Sequence, residues 1–358
     1  MRTALIMAGG TGGHVFPGLA VARALRSQGI NVVWVGTHNG LEARVVPEAG
    51  FPVEWITIQG LRRGSLKDMV LLPGRLAVAL WQAFRIFRRH RPALALALGG
   101  FVAGPGGVVA WLTRTPLVVH EQNAYAGLTN RWLALIADRV LCGFPDAFGS
   151  LPGATHIGNP VRSEILAVPK PDVRLAGREP PLRVLVVGGS QGAQILNEVV
   201  PEAVALLDPS VRPLIHHQSG PAGLQQTETR YRSHGITAAV VPFIADMAAE
   251  YTWADVVICR AGAMTIAELC AVGTTAILVP FPFATDDHQT ANARFLTDRE
   301  AAICVTQAEF SASHVADLLS GLATQPEVAA LMAERSRACA MPDATDRIVA
   351  ACLEVARA

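Results

Sequence analysis

Five groups of residues have the types and the spacing to do chemistry. Gly9-Gly10-Thr11-Gly12-Gly13-His14 follows the apolar run TALIMA, and Gly188-Gly189-Ser190-Gln191-Gly192 follows LRVLVV. A strand that ends in paired glycines and turns straight into a helix leaves backbone N–H groups at a positive helix end. That arrangement suits phosphate or another cluster of polar oxygens. His14 stands at the mouth of the first loop, placed to hydrogen-bond a reacting alcohol or to organise the loop itself. His120-Glu121-Gln122-Asn123 follows PLVV, so four polar residues crowd the carboxyl end of a strand, with Asn130 on the next helix. In the second half, Arg260 to Glu268 reads strand, tight turn, helix. A carboxylate in the opening turns of that helix accepts two hydrogen bonds from a ribose diol, or is simply favoured by the helix dipole. Pro280-Phe281-Pro282-Phe283 then leads to Asp286-Asp287-His288-Gln289 and Asn292. Two adjacent acids invite a metal reading, but neighbouring carboxylates on a turn point apart and no third ligand follows. His14 with His120 has no metal spacing either.

The glycine loops also exclude chemistry. Neither fits GxGxxG, and the second strand, NVVWVGT, ends without the acid that a nicotinamide dinucleotide site places on its ribose. No GxxxxGK[ST] occurs, which excludes a P-loop nucleotide hydrolase by pattern.

The elements that must hold these residues alternate. Strands are expected at TALIMA, NVVWVGT, LALALG, LVVHE and DRVLCG, with helices between, the first from about Pro17 to Ser27. That is a parallel sheet covered on both faces. Residues 158–181 carry five prolines and several charges and read as a boundary and linker. The second half repeats the scheme: LRVLVVGG, a turn, a helix over ILNEVVPEAVALL, then strands near PLIHHQ, TAAVVPF, DVVICR and TAILVPF. The two glycine loops lie about 179 residues apart, each one strand into its half. The expected organisation is two α/β, doubly wound domains, 1–160 and 161–340, with a helix over 341–358 that packs back on the first domain. Ligand then belongs in a cleft between them, beyond the carboxyl ends of the strands.

Composition bounds the rest. With 358 residues, 51% hydrophobic and 16% charged, the chain has material for two cores and is not disordered. A net charge of +1 argues against a chain-wide polycationic nucleic-acid binder. The balance is uneven: residues 1–160 hold 15 basic and 7 acidic residues, and the remainder 15 and 22. The first half should therefore meet the more anionic partner. The six cysteines form no CxxC pair and read as buried free thiols of a reducing compartment. MRTALIMAGG does not read as a signal peptide. The uncharged stretch 93–112 reads as strand plus loop because five glycines and a proline interrupt it. Residues 61–91 hold eight of the first half's basic residues. There Leu76, Leu80, Trp81, Phe84 and Phe87 share a helical face expected to meet the core. A preceding loop, with Leu71 and Leu72 ringed by Arg62, Arg63, Lys67 and Arg75, is expected to sit on an anionic leaflet.

Together GGTGGH at 9–14, GGFVAGPGG at 99–107, HEQNAYAGLTN at 120–130, GNPVR at 158–162, GGSQGAQ at 188–194, GAMTIAEL at 262–269 and DDHQTANA at 286–293 resemble the MurG family. These are the family 28 UDP-N-acetylglucosamine:undecaprenyl-pyrophosphoryl-muramoyl-pentapeptide N-acetylglucosaminyltransferases, and the resemblance covers essentially the whole chain. It implies the GT-B fold, two Rossmann-like domains with a deep cleft. It also implies inverting transfer of GlcNAc from UDP-GlcNAc to the 4-hydroxyl of the muramoyl sugar of lipid I, giving lipid II for peptidoglycan and cell-wall synthesis. The resemblance places the uracil near Phe243 and Ile244, the ribose on Glu268, and the pyrophosphate on Ser190, Gln191 and Gly192. It brings Ala263, Met264, Thr265, Arg162, His288, Gln289 and Asn292 to the diphosphate or sugar, and Thr11, Gly12, Gly13 and Asn123 to the donor side of the transfer point. Phe101 and Asn130 fall on the acceptor side, and His14 or Glu121 serves as base. The family commonly has Tyr where this chain has Phe101, so a hydroxyl there is not required. The implied setting is the cytoplasmic face of a bacterial inner membrane, with anionic lipids and other cell-wall enzymes as partners. No tightly bound cofactor is implied, and a divalent ion is expected at most to stimulate. Other UDP-sugar enzymes of this fold are the nearest rivals: a glycolipid glycosyltransferase with another acceptor, or a UDP-GlcNAc 2-epimerase, which needs no lipid face. A membrane-peripheral scaffold that only binds UDP-sugar leaves the HEQN block unexplained.

Overall fold

The computed structural model describes residues 2–58, 66–149, 151–189, 191–284 and 287–357, with the side chains of 66–71 left aside. The chain divides into two compact units, Met1–Val161 with Pro342–Ala358, and Arg162–Met341.

The first unit is built on seven parallel strands: β1 Thr3–Ala8, β2 Asn31–Gly36, β3 Val53–Trp55, β4 Leu94–Gly99, β5 Leu117–Glu121, β6 Arg139–Cys142 and β7 Ala154–His156. Their order is β3-β2-β1-β4-β5-β6-β7, so the order reverses between β1 and β4. Alternation along β1 explains why both faces are covered. Ala4, Ile6 and Ala8 pack with Leu25, Trp34, Leu96 and the C-terminal helix Ala344–Val355. Leu5 and Met7 point the other way, to Phe87, Val109 and Leu133. Ile348 and Val349, both buried, contribute about 1.5–3 kcal/mol each before conformational entropy is charged.

The second unit holds β8 Arg183–Val187, β9 Leu214–Gln218, β10 Ala238–Val241, β11 Val256–Cys259, β12 Thr275–Leu278 and β13 Ile303–Cys304. The order is β10-β9-β8-β11-β12-β13, again parallel, with the reversal between β8 and β11. Val184, Val186, Ile258 and Ile277 face the helices Gln194–Leu206 and Ala312–Thr324.

Several expectations are corrected here. The first helix begins at Gly12, not Pro17, because Thr11 is extended and the two glycines already wind. The glycine-rich stretch after β4 is a loop only as far as Val102, and Ala103–Leu112 is helix. Its glycines serve close packing: a Cβ on Gly106 would strike Met7, and one on Gly107 would strike Leu133. The helix of the basic segment runs Leu66–His90, so 66–75 is not a loop. Its buried stripe is Ala79, Ala83, Ile86 and Phe87, whereas Leu76, Trp81 and Phe84 are exposed. The supposed linker is packed. Its helix Pro171–Arg174 ends in a buried Arg174 that donates to the carbonyls of Ala254 (2.6 Å) and Gly273 (2.7 Å). The last helix is Ala344–Val355, which packs on the first sheet and is separated from Pro326–Ala338 by a break around Pro342. The unannounced strands β3, β7 and β13 are two or three residues long and sit at sheet edges. Too short to show a period of two, they leave no pattern to read.

Candidate functional site

The candidate site residues of the first unit gather at the carboxyl ends of β1, β4 and β5. Between β1 and its helix, Gly9, Gly10 and Thr11 make the turn, with Gly10 at φ 93°. Thr11 makes no side-chain cap, so the first amides of the helix, at Gly12 and Gly13, are left at its positive end. Glu42 holds the turn from beneath. Fully buried, its carboxylate accepts from the Gly10 N–H (2.9 Å), the Thr37 N–H (3.0 Å) and the Thr37 hydroxyl (2.8 Å). Nothing in the reading of the sequence singled out Glu42, because a lone acid after a strand resembles any surface acid. The loop after β4 closes on the same turn. A Cβ on Gly100 would collide with the Gly9 backbone, and one on Gly99 (φ 110°) would lie 2.9 Å from His14 Cε1. His14 is therefore seated on a glycine, half-buried, in the third helical position. Phe101, in that loop, is half exposed.

The HEQN block at the end of β5 is not four equivalent polar groups. Glu121 is 1% exposed and all its acceptor capacity is used. One oxygen accepts from the Asn123 N–H (2.9 Å) and amide (3.1 Å), the other from the Gly127 N–H (3.1 Å) and the Asn130 amide (2.9 Å). Asn130 is buried, and Asn123 is partly so. Glu121 is thus a strut that shapes the turn. His14 Nδ1 lies 2.8 Å from Gln122 Oε1, and the Gln122 amide nitrogen lies 2.9 Å from His120 Nδ1. Burial pushes the His120 imidazolium down to about 4, so the ring is neutral near pH 7.

In the second unit the sites again lie at strand ends. The turn after β8 contains Gly189 (φ 84°), Gln191 and Gly192 (φ 79°), with Ser190 outside the described residues. Gly192 is forced to be small, since a side chain would run into the Ser219 carbonyl. Beneath that turn His217, fully buried, joins Asn197 Oδ1 (3.0 Å) to the Tyr231 hydroxyl (3.0 Å), and Asn197 donates to Ser219 O (2.9 Å). The helix Gln194–Leu206 starts without a side-chain cap. So does Ala263–Val272, whose first residues are Ala263, Met264 and Thr265. Both leave their first-turn amides without a side-chain cap, an arrangement that suits an anion.

Glu268 lies on that second helix, two turns in and largely buried. One carboxylate oxygen accepts from Arg162 (3.1 Å) and the other from the Tyr251 hydroxyl (3.1 Å). Burial raises its pKa above the ordinary 4.5, opposed by the charge and hydrogen bond of Arg162 and by the Tyr251 hydrogen bond. Tyr251 escaped the sequence reading because an aromatic seventeen residues earlier carries no visible link to an acid. Ile244 is buried and Phe243 exposed beside it in sequence. Gln289 accepts from the Phe281 N–H (2.9 Å), and buried Asn292 donates to the Ala261 carbonyl (3.1 Å), so both tie the 280s segment to neighbouring turns. His288 opens the helix His288–Thr297. Asp286 lies outside the described residues. Among the described residues no group of three or more His, Cys, Asp or Glu could hold a metal ion.

Of the expected membrane face, Arg62 and Arg63 lie outside the described residues, as do the side chains of Lys67 and Leu71. Leu72 is half-buried and Arg75 exposed. The apolar exposure lies farther along. Trp81 (57% exposed) and Phe84 (43%) stand on Leu66–His90, and Trp111 (56%) and Leu112 (62%) on Ala103–Leu112, a helix packed beside it. No described helix is long and apolar enough to cross a membrane.

Two parallel sheets, each with a glycine turn and an uncapped helix at the end of its first strand, define the GT-B class of glycosyltransferase folds. Residues 4–142 match the glycosyltransferase family 28 N-terminal domain and 183–348 the family 28 C-terminal domain, and the chain belongs to that family. It is 54% identical, over 99% of both chains, to the UDP-N-acetylglucosamine--N-acetylmuramyl-(pentapeptide) pyrophosphoryl-undecaprenol N-acetylglucosamine transferase of Alkalilimnicola ehrlichii. It is 51% identical, over 98% of both, to the protein of the same name from Nitrosomonas europaea. The crystal structure of Acinetobacter baumannii MurG superposes with a TM-score of 0.87 at 37% identity, covering 99% of this chain and 100% of that one. A UDP-GlcNAc 2-epimerase from Neisseria meningitidis reaches 0.69 at 11% identity, covering 99% of this chain and 100% of that one, a likeness that speaks for the fold alone.

Proposed function

We infer that the protein is an inverting glycosyltransferase that moves GlcNAc from UDP-GlcNAc to the 4-hydroxyl of the muramoyl sugar of lipid I, giving lipid II. The observation that carries this is the 54% identity, over nearly the full length of both chains, to a transferase of that name. The second unit holds the donor. Glu268 takes the ribose diol, and the uncapped helices Gln194–Leu206 and Ala263–Val272, with Arg162, take up the charge that develops on departing UDP. The first unit holds the acceptor. His14 accepts the proton of the attacking hydroxyl as the anomeric centre inverts in a single displacement, and Glu121, with every lone pair engaged, does not. Helix ends and Arg162 do the electrostatic work of a metal, so the chemical step proceeds without a protein-bound ion. The test is turnover of UDP-GlcNAc with a short-chain lipid I analogue in the presence of chelator. Lipid II analogue is the expected product. Epimerised UDP-sugar, or complete loss of turnover that Mg²⁺ restores, overturns the activity or the metal-free step respectively.

Within the donor site Tyr251 supports Glu268. Glu268→Ala is expected to raise donor KM far more than acceptor KM, by about 1.5–3 kcal/mol for each charge-assisted hydrogen bond lost. Tyr251→Phe keeps the ring packed and removes only one hydrogen bond, so its donor KM rises by a smaller factor, about 1 kcal/mol. Unchanged donor affinity in folded Glu268→Ala removes the ribose assignment.

The first unit docks on the cytoplasmic face of an anionic membrane, where the lipid-linked acceptor resides. Trp81, Phe84, Trp111 and Leu112 enter the interface, and Arg85, stacked on Trp81 (4.8 Å), and Arg88 meet phosphate headgroups. Arg85→Gln with Arg88→Gln is expected to cost about 2 kcal/mol of binding to anionic vesicles at moderate salt, and less at high salt. Turnover of the short-chain acceptor should not change. Vesicle co-sedimentation at wild-type strength places the docking face elsewhere.

A further inference from the structure

We propose that Gln122 and His120 are positioning residues that set the tautomer of His14, leaving its Nε2 as the bare lone pair that takes the acceptor's proton. The inference rests on the reading of His14 as base and goes beyond it to the groups that make it one.

Two backbone carbonyls decide every proton in the chain. His120 Nε2 lies 3.0 Å from the Gly158 carbonyl, which can only accept, so Nε2 carries the hydrogen. His120 is fully buried and neutral, so its Nδ1 is left as an acceptor. The Gln122 amide has one end 3.0 Å from the His120 carbonyl, again an acceptor only, so that end is the NH₂. The same NH₂ donates to His120 Nδ1 at 2.9 Å. The opposite end of the amide is therefore the oxygen, and it lies 2.8 Å from His14 Nδ1. An amide oxygen accepts, so His14 Nδ1 must donate. Neutral His14 then has no hydrogen on Nε2. Free imidazole side chains prefer the other tautomer, with the hydrogen on Nε2, so the relay opposes an intrinsic preference that would block the base. Gly99 completes the arrangement: a Cβ there would lie 2.9 Å from His14 Cε1 and 3.0 Å from His14 Nδ1, so a residue without a side chain leaves the imidazole this seat.

The relay is also buried where it needs to be. Gln122 is 1% exposed, and its own carbonyl accepts from Asn159 (2.9 Å), so neither its backbone nor its amide is free to reorient. A glutamine held only for packing would not need both ends of its amide matched to partners of fixed polarity.

The test uses the full-length enzyme and a double-mutant cycle. Gln122→Met keeps the length of the side chain and removes both polar ends. It is expected to lower kcat on the order of 10- to 100-fold, the scale of a misaligned reacting group, with donor KM unchanged. In a His14→Ala background the same change should cost less than about 2-fold, because the relay has nothing left to orient. Nitrogen-15 spectra of labelled protein should show His14 protonated on Nδ1 in the wild type and shifted toward the Nε2–H tautomer in Gln122→Met. His120→Asn, which can offer neither imidazole nitrogen, is a second entry to the relay should Gln122→Met fold poorly. If His14→Ala lowers kcat by about 10²-fold or more while Gln122→Met leaves it within about 2-fold of wild type, the relay is wrong and the base stands. If Gln122→Met costs as much without His14 as with it, Gln122 acts elsewhere and the relay is again wrong. A wild-type His14 protonated on Nε2 overturns the proposal whatever the kinetics.

Discussion

His14→Ala is expected to lower kcat by about 10²- to 10⁴-fold, the usual contribution of a placed general base, while KM for UDP-GlcNAc stays within a few-fold. The split follows from placement: His14 belongs to the first unit, and Glu268, Arg162 and the helix ends assigned to the donor belong to the second. Glu121→Gln makes the contrasting case. Replacing one carboxylate oxygen by NH₂ sets a donor against the donors it used to accept from, Asn123 and its N–H or Gly127 and Asn130. The cost, about 1–3 kcal/mol, appears first as lost stability of the turn, and any fall in rate accompanies a lowered Tm. Steady-state kinetics with the short-chain acceptor and thermal melts of the two variants decide the matter. A folded Glu121→Gln of unchanged Tm with the larger kcat loss would transfer the role of base to Glu121.

Acid should destabilise both units well before the carboxylates as a class titrate. His120 in the first unit and His217 in the second are buried and neutral, their values pushed from 6.5 to about 4 and about 3. A histidine whose folded value is depressed takes its proton in the unfolded chain first. Stability is therefore intact above pH 6.5, falls as pH drops toward the folded value, and levels off below it. Over that window His120 contributes a loss of about 3 kcal/mol and His217 somewhat more. Glu268 works in the opposite sense: raised by burial, it holds a proton in the fold at a pH where the unfolded chain has already released it. The net slope in the second unit is accordingly smaller than His217 alone would impose. Denaturant titrations at pH 7, 5.5 and 4.5 should show the midpoint falling at constant m. His217→Gln, though less stable at pH 7, should fall less steeply between the first two. Equal stability at pH 7 and 4.5 contradicts the assignment of these rings as buried and neutral.

How far the site could be read in one dimension differs from residue to residue. The glycine turns, His14 and the polar block at 120–123 follow directly on apolar runs, and Glu268 lies on the helix after one, positions that are visible because parallel strands put their functional ends at the carboxyl terminus. The division of labour inside the block was not visible. From the sequence Glu121 is a rival base to His14, and only the fold shows Asn123, Gly127 and Asn130 using up the carboxylate. Tyr251 and Glu42 were missed because the contact that gives each its meaning is made across the fold. The face of the Leu66–His90 helix was misread because its apolar residues cover more than one side, and periodicity cannot say which side the sheet takes.

By itself the amino-acid order determined what alternates and where it stops: two runs of strand and helix, a proline-rich junction, and glycines wherever backbone must touch backbone. These are local matters, set by side-chain period and by the φ values that only glycine accepts readily, as at Gly99 and Gly192. The tertiary structure alone decided which polar groups remain available for chemistry. A carboxylate, an amide or an imidazole is a base, a strut or a relay according to how many of its lone pairs and protons are already taken. For His14, Gln122 and His120 the deciding partners are carbonyls at Gly158 and at His120 itself, and the first is brought in by a strand-end turn 38 residues along the chain. Hydrogen-bond capacity is exhausted in three dimensions, and no spacing along a chain records it.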